Sequence, residues 1–279
     1  MILNLEVEPM IEKTELNVFL EAIYQKYGYD FRDYSRASLK RRISMRKMMS
    51  NFTNMADMQH RVLNDRNFFH TLLSDLSVNV TEMFRDPHFY RTLRDTVVPI
   101  LKTYPFIKIW HAGCSTGEEV YSVAILLKEE GILNRSLIYA TDFNEVVLNR
   151  AREGVYPIDR MREYTINYQK AGGIEEFSDY YTAKYDAAIM NHALKKHIVF
   201  APHNLATDNV FGETHLVMCR NVLIYFNKEL QNRAIGLFNE SLVRKGILCL
   251  GSKESIRYTN YNDHFCDLVS KEKIYKKLK

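Results

Sequence analysis

The sequence predicts a two-part α/β protein, with an all-helical segment over residues 1–78 followed by a doubly wound, mostly parallel sheet over residues 79–279. Three observations predict it. The first hundred residues contain one glycine, Gly28, and their apolar residues recur at helical spacing. From Pro105 onward the pattern changes to short apolar runs separated by longer amphipathic segments. The first such run leads through a glycine turn into a helical stretch, IKIWHAG-CSTG-EEVYSVAILLKEE, as the first crossover of a doubly wound sheet does.

Leu16, Phe19, Leu20 and Ile23 mark a first helix, Leu39, Ile43 and Met48 a second, and Phe68, Phe69, Leu72, Leu73 and Leu76 a further one. The runs at 107–113, 137–142, 197–203, 214–221 and 246–251 read as buried parallel strands. The tail EKIYKKL alternates and is expected to be a final edge strand. The stretch Gly154–Lys196 is polar, tyrosine-rich and poor in obvious core, and is expected to be an insertion with a small structure of its own.

Bulk properties exclude several classes. No run approaches the roughly 18 apolar residues of a membrane span. The acidic, mixed start MILNLEVEPMIEKTE is unlike a signal peptide, so a cytoplasmic location is expected. Four cysteines, Cys114, Cys219, Cys249 and Cys266, stand far apart with no CxxC pair, which fits free thiols and no metal site. A formal charge of +4 is too small to imply nucleic acid by itself.

The chemistry concentrates at the expected strand ends. Gly113 and Gly117 bracket the first turn, Glu118 and Glu119 open its helix, and Asp142 ends the second strand. A carboxylate there suits the two hydroxyls of a ribose, whereas paired glutamates would repel a pyrophosphate and the third glycine of GxGxxG is missing. S-Adenosylmethionine satisfies both conditions: it has a ribose and no phosphate, and its ammonium and sulfonium favour nearby carboxylates. The alternative is that both glutamates merely complement the helix N-terminus. Two further stretches add polar groups: SVNVTEMFRDPHFY (77–90), where Asp86-Pro87 signals a helix start, and MCRNVLIYFNKELQ (218–231). Capping residues at an interdomain turn would account for the first, and a core aromatic for Tyr225 in the second. His111 and His203 are read as structural.

Seven pieces together resemble the CheR-type chemoreceptor methyltransferases: NVTEMFR (79–85), AGCSTGEEVYS (112–122), ATD (140–142), AREGVY (151–156), HNL (203–205), CRNVLIYF (219–226) and GILCLGSKES (246–255). They occur in the family's order along nearly the whole chain. The resemblance implies an N-terminal helical domain and a class I, Rossmann-like methyltransferase domain carrying a β-subdomain at about 157–196. It carries contacts to S-adenosylmethionine, and to its product S-adenosylhomocysteine, onto Asn79, Thr81, Arg85, Gly113, Glu119, Asp142, Asn204, Leu205, Arg220 and Asn221. It places Arg85 and Tyr225 near the reacting sulfonium. Glu119 is the ligand-binding glutamate of the pair, and Glu118 is expected to cap or face solvent. Departures are Val120 in place of proline, GSKES in place of a glycine-any-serine-glutamate pattern, and a short loop at TAKYD (182–186) where a receptor tail would dock.

The implied reaction methylates glutamate carboxylates on the cytoplasmic helical region of membrane chemoreceptors, with a monomeric enzyme, no metal, no nucleic acid and membrane contact only through the receptor. The basic stretch SRASLKRRISMRKMM (35–49) supplies Arg41, Arg42, Arg46 and Lys47 as the expected surface for that acidic bundle. Three alternatives stay open. An RNA methyltransferase would show the same stripe with interleaved aromatics, a non-catalytic adenosyl-ligand sensor would bind without turnover, and a nicotinamide dehydrogenase would need the missing glycine.

Overall fold

The computed structural model describes residues 11–77 and 81–279. They group into two compact units, one reaching to residue 77 and including Tyr225–Leu230, the other holding 81–224 and 231–279.

The helical unit comprises α1 (Lys13–Tyr27), α2 (Arg36–Met49), α3 (Met55–Asn64) and α4 (Arg66–Leu76). Its boundaries have chemical causes. Gly28, at φ 76°, ends α1 in the left-handed region that L side chains avoid. The Asn54 side chain accepts from the Asp57 amide to start α3, and Asp65 accepts from the amides of Asn67 and Phe68 to start α4. Leu16, Phe19, Leu20 and Ile23 of α1 pack with Met58, Val62, Phe69, Leu72 and Leu73, each burial stabilising by roughly 1.5–3 kcal/mol. Helix α2 differs. Only Leu39 and Ile43 are buried, and Met48, expected on the core stripe, is exposed with Met45 and Met49. Its inward face is polar instead: Arg46 pairs with Asp75, and Arg42 donates to the carbonyl of Asp75 at 2.8 Å.

The second unit runs α5 (Pro87–Thr92), a π-helical turn (Leu93–Val97), α6 (Val98–Leu101), β1 (Ile107–Ala112), α7 (Glu118–Glu129), β2 (Ser136–Asp142), α8 (Glu145–Glu153), β3 (Val155–Pro157), α9 (Met161–Lys170), β4 (Tyr181–Lys184), β5 (Ala187–Met190), α10 (His192–Lys195), β6 (Ile198–Pro202), β7 (Thr214–Cys219), α11 (Lys228–Ser241), β8 (Leu242–Leu250), β9 (Phe265–Val269) and β10 (Ile274–Lys277). The π turn has a local cause, because Pro99 lacks the N–H that a regular α ladder would send back to residue 95.

Seven strands form one sheet in the order β6-β2-β1-β7-β8-β10-β9. The five strands read from the apolar runs are parallel to one another. The tail strand is not at the edge. β10 lies between β8 and β9, antiparallel to both, and the edge belongs to FCDLV (265–269), which the sequence reading passed over. β10 can be interior because Ile274 and Tyr275 are both buried, whereas β9 exposes Cys266 and Asp267. Strand order reverses beside β1, which makes a crevice at the carboxyl ends of β1 and β7.

The stretch expected to lack a core contributes to one. A three-stranded antiparallel sheet, β3-β5-β4, begins at Val155 and buries Tyr156, Met161, Tyr164, Tyr168, Phe177 and Tyr180. Aromatic rings with polar tips fill it, so no aliphatic periodicity announces it. Glu129 of α7 anchors it, accepting from the Tyr180 hydroxyl at 2.9 Å, the Ile174 amide at 3.1 Å and the Tyr168 hydroxyl, while Arg94 neutralises the charge. TAKYD forms the end of β4 and a tight turn, with Tyr185 at φ 52° and fully presented to solvent.

Candidate functional site

The carboxyl ends of β1, β2 and β7 gather a charged cluster. Gly113 leaves β1 at φ 80°, and a Cβ there would lie 2.6 Å from Val222 Cγ2, so glycine alone fits. The next turn brings Ser115, itself left-handed at φ 50°, to Asp142, whose Oδ2 accepts from the Ser115 amide at 3.0 Å. Asp142 Oδ1 accepts from the Asn144 amide, also at 3.0 Å. Burial pushes the Asp142 carboxyl up to about 6, against the pull of those amides.

Glu119 projects from the first turn of α7. Its Oε1 lies 3.1 Å from His111 Nδ1 and its Oε2 accepts from Arg220 Nη1 at 3.1 Å. These two partners hold the Glu119 carboxyl below its ordinary value despite burial, so it stays charged. Arg220, at the end of β7, also donates through Nη2 to Asp86 at 2.8 Å and stacks over the Phe89 ring at 3.9 Å. Its Nε is buried with no partner among the described residues. Asp86 occupies the N-cap position of α5 but makes no side-chain cap there, its carboxylate being directed to Arg220.

Glu118 corrects the expectation set for it. It neither caps α7 nor faces solvent, being 6% exposed, with Oε2 accepting from the Thr116 hydroxyl at 2.7 Å. Burial pushes its carboxyl up to about 7. Glu119, half-buried, is the member of the pair that reaches His111 and Arg220, while Glu118 is buried against Thr116.

The remaining sequence candidates fall as follows. Arg85 is half-buried and directly precedes Asp86, and Thr81 is half-buried. Asn79 lies outside the described residues. Asn204 and Leu205 follow β6: the Asn204 side chain accepts from the Ala206 amide, and Leu205 offers its carbonyl to Arg233. Asn221 sits at φ 61° immediately after Arg220. His203 behaves as a structural residue, its Nε2 2.9 Å from the Asn209 carbonyl and its ring edge-on to Trp110.

Tyr225 groups with the helical unit. Its carbonyl accepts from the Ser35 amide at 2.7 Å, and Arg42 lies over its ring at 5.5 Å. The four cations of α2 expected to meet the receptor therefore divide. Arg41 is exposed and Lys47 half-buried, whereas Arg42 and Arg46 are engaged within their own unit and do not form an open basic face.

The sequence reading missed Asp86, Phe89, His111 as the partner of Glu119, and Glu254. The last had a signal in the quoted GSKES, where Glu254 keeps the place of the family pattern's glutamate after Gly251 and only Lys253 departs, standing where the serine would be.

The cluster fits S-adenosylmethionine. Two carboxylates suit its ribose and ammonium, the orphaned Arg220 donor suits its carboxylate, and the concentration of acid disfavours phosphates. Among the described residues there is no group of His, Cys, Asp and Glu that could hold a metal ion, and no helix is long and apolar enough to cross a membrane.

Comparison with known proteins agrees. Residues 79–273 match the model of the CheR methyltransferase SAM-binding domain, and residues 14–77 match that of the CheR methyltransferase all-alpha domain. The chain is 54% identical over 263 residues to a putative methyltransferase, Cher3, of Pseudomonas putida, covering 94% of this chain and 96% of that one. It is 31% identical to the chemotaxis protein methyltransferase of Borreliella burgdorferi, covering 88% and 90%. The Escherichia coli chemotaxis protein methyltransferase is 25% identical, covering 85% and 83%.

Proposed function

Because this chain belongs to the CheR methyltransferase family, and is thus an S-adenosylmethionine-dependent methyltransferase, we propose that it methylates glutamate side chains in the cytoplasmic helical region of chemoreceptors. The observation that carries the reading is the Glu119–Arg220–Asp86 cluster at the strand ends, with Asp142 at the end of β2 holding the turn through the Ser115 amide.

When bound, S-adenosylmethionine supplies a sulfonium-borne methyl that a carboxylate oxygen can attack, an O–C bond forming as the C–S bond breaks and S-adenosylhomocysteine leaves. Asp142 would hold the ribose hydroxyls, Glu119 the ammonium, and Arg220, with Asn221, Asn204 and Leu205 around it, the remaining polar edges. An acceptor glutamate is already ionised near neutrality, since its ordinary pKa is about 4.3, so no general base is required. What the protein must supply is orientation and exclusion of water. Arg85 orients the incoming carboxylate by charge-assisted hydrogen bonds, and Tyr225 donates its hydroxyl beside the reacting centre. Acceptor selection falls to α2, where Arg41 stands among exposed Met45, Met48 and Met49. A cation among adaptable apolar side chains suits an acidic helical protein, and the absence of aromatics on that stripe disfavours stacked bases.

Incubation with methyl-labelled S-adenosylmethionine and receptor-containing membranes from the same source tests the proposal. Label is expected on receptor polypeptides. Label on added RNA, or cofactor binding without any transfer, would contradict it.

A further inference from the structure

Beyond the cofactor cluster, a second acid is buried at the same end of the sheet. Glu254, 4% exposed, follows β8, and its carboxylate is held by backbone amides. Its Oε2 accepts from the amides of Gly251 at 2.6 Å and Asn221 at 3.0 Å, and its Oε1 accepts from the Ile224 amide at 3.2 Å. One side chain thus closes a bridge across 30 residues of sequence onto the turn that carries Arg220 and Asn221 and leads into Tyr225.

The fit is tight. Asn221 takes a left-handed conformation, φ 61°, which asparagine accepts more readily than other side-chain-bearing residues. A Cβ on Gly251 would lie 2.8 Å from both the Asn221 amide nitrogen and Glu254 Oε2. Glycine at 251 and a carboxylate at 254 are therefore parts of one device. Burial raises the Glu254 carboxyl above its ordinary value while the surrounding amides, that of Leu223 among them, pull it back.

We infer that Glu254 is a positioning residue for methyl transfer, a buried carboxylate clamp that fixes the Arg220–Ile224 turn and so sets the backbone from which Tyr225 acts. The inference rests on the reading of Tyr225 as the hydroxyl beside the reacting centre. The two oxygens have different work. Oε2 secures the Asn221 side of the turn and Oε1 its far end at Ile224.

Glu254→Gln separates them. Its single carbonyl goes to the two-amide side, leaving its NH2 against the Ile224 N–H, donor facing donor. The folded variant is expected to bind S-adenosylhomocysteine within about 3-fold of wild type by calorimetry and to lose at least 10-fold in kcat toward receptor. Gly251→Ala presses on the same clamp from the other side and is expected to lower kcat in the same way. Thermal melting checks that both variants are folded. A folded Glu254→Gln protein with unchanged kcat overturns the inference, as does one that loses cofactor affinity with kcat intact. Wild type run alongside keeps the two readings apart: if it transfers methyl to receptor, the proposed activity stands whatever the variants do.

Discussion

Asp142 and Glu118 show how one environment, burial, has opposite uses. Asp142 is raised to about 6 yet must be ionised to accept from ribose hydroxyls. Cofactor affinity is therefore expected to weaken as pH falls from 7.5 to 5, and calorimetry with S-adenosylhomocysteine checks this. Asp142→Ala should cost about 1–3 kcal/mol of binding at pH 7.5, by orphaning the hydroxyls it serves. Glu118 makes no contact with the ion cluster and should reveal itself in stability instead. Its folded value, about 7, lies above the ordinary 4.5, so folding takes up a proton between them. Its contribution is complete below about pH 4.5 and is lost as pH rises through about 7. Glu118→Gln should accordingly stabilise the fold at pH 8 by up to about 3 kcal/mol, seen as a higher melting temperature, and change little at pH 4.5. An equal effect at both pH values would contradict the account.

Among elements, the insert and α2 are each tied down by one acid. Glu129 has no exposed side-chain surface and accepts from Arg94, Tyr168 and Tyr180 at once, so Glu129→Ala removes an acceptor from each, leaving Arg94 to Glu130 and Tyr168 to the Glu175 carbonyl. A loss of about 1–3 kcal/mol is expected in urea unfolding, chiefly from the Tyr180 hydroxyl left without its acceptor. On α2, Arg46→Ala should lower stability while Arg41→Ala should not, because only Arg46 is tied to Asp75. Conversely, Arg41→Ala should raise the KM for receptor and leave S-adenosylhomocysteine binding alone, an effect that shrinks with salt because exposed charges are screened beyond about 8–10 Å. These cases also show what was legible in the sequence. The five parallel strands could be read because each carries a short, mainly apolar run, and Asp142 because it ends one of them. The edge strand β9 could not, since Cys266 and Asp267 break its pattern. The division of the α2 cations was hidden too, because Asp75 lies 29 residues from Arg46 and only the packing of α4 brings them together. Glu118 and Glu119 look alike in sequence, and helix rotation alone separates the buried acid from the one in the cluster.

At the scale of the molecule, the strand order β6-β2-β1-β7-β8-β10-β9 and the acid cluster at its switch point belong to an S-adenosylmethionine-dependent methyltransferase, and a helical unit bearing α2 and Tyr225 accompanies it. The central claim is that the acceptor is a carboxylate. Its product would be a methyl ester, which mild alkali hydrolyses to methanol, whereas N-methyl groups and ribose O-methyl groups survive. The direct measurement is to label a chemoreceptor with methyl-labelled S-adenosylmethionine and this protein, expose it to alkali, and map the modified peptides by mass spectrometry. The account predicts volatile label released by alkali and a methyl group on glutamate side chains, lost when Asp142→Ala replaces wild type. Alkali-stable label, or methyl groups on lysine, arginine or RNA, would contradict it.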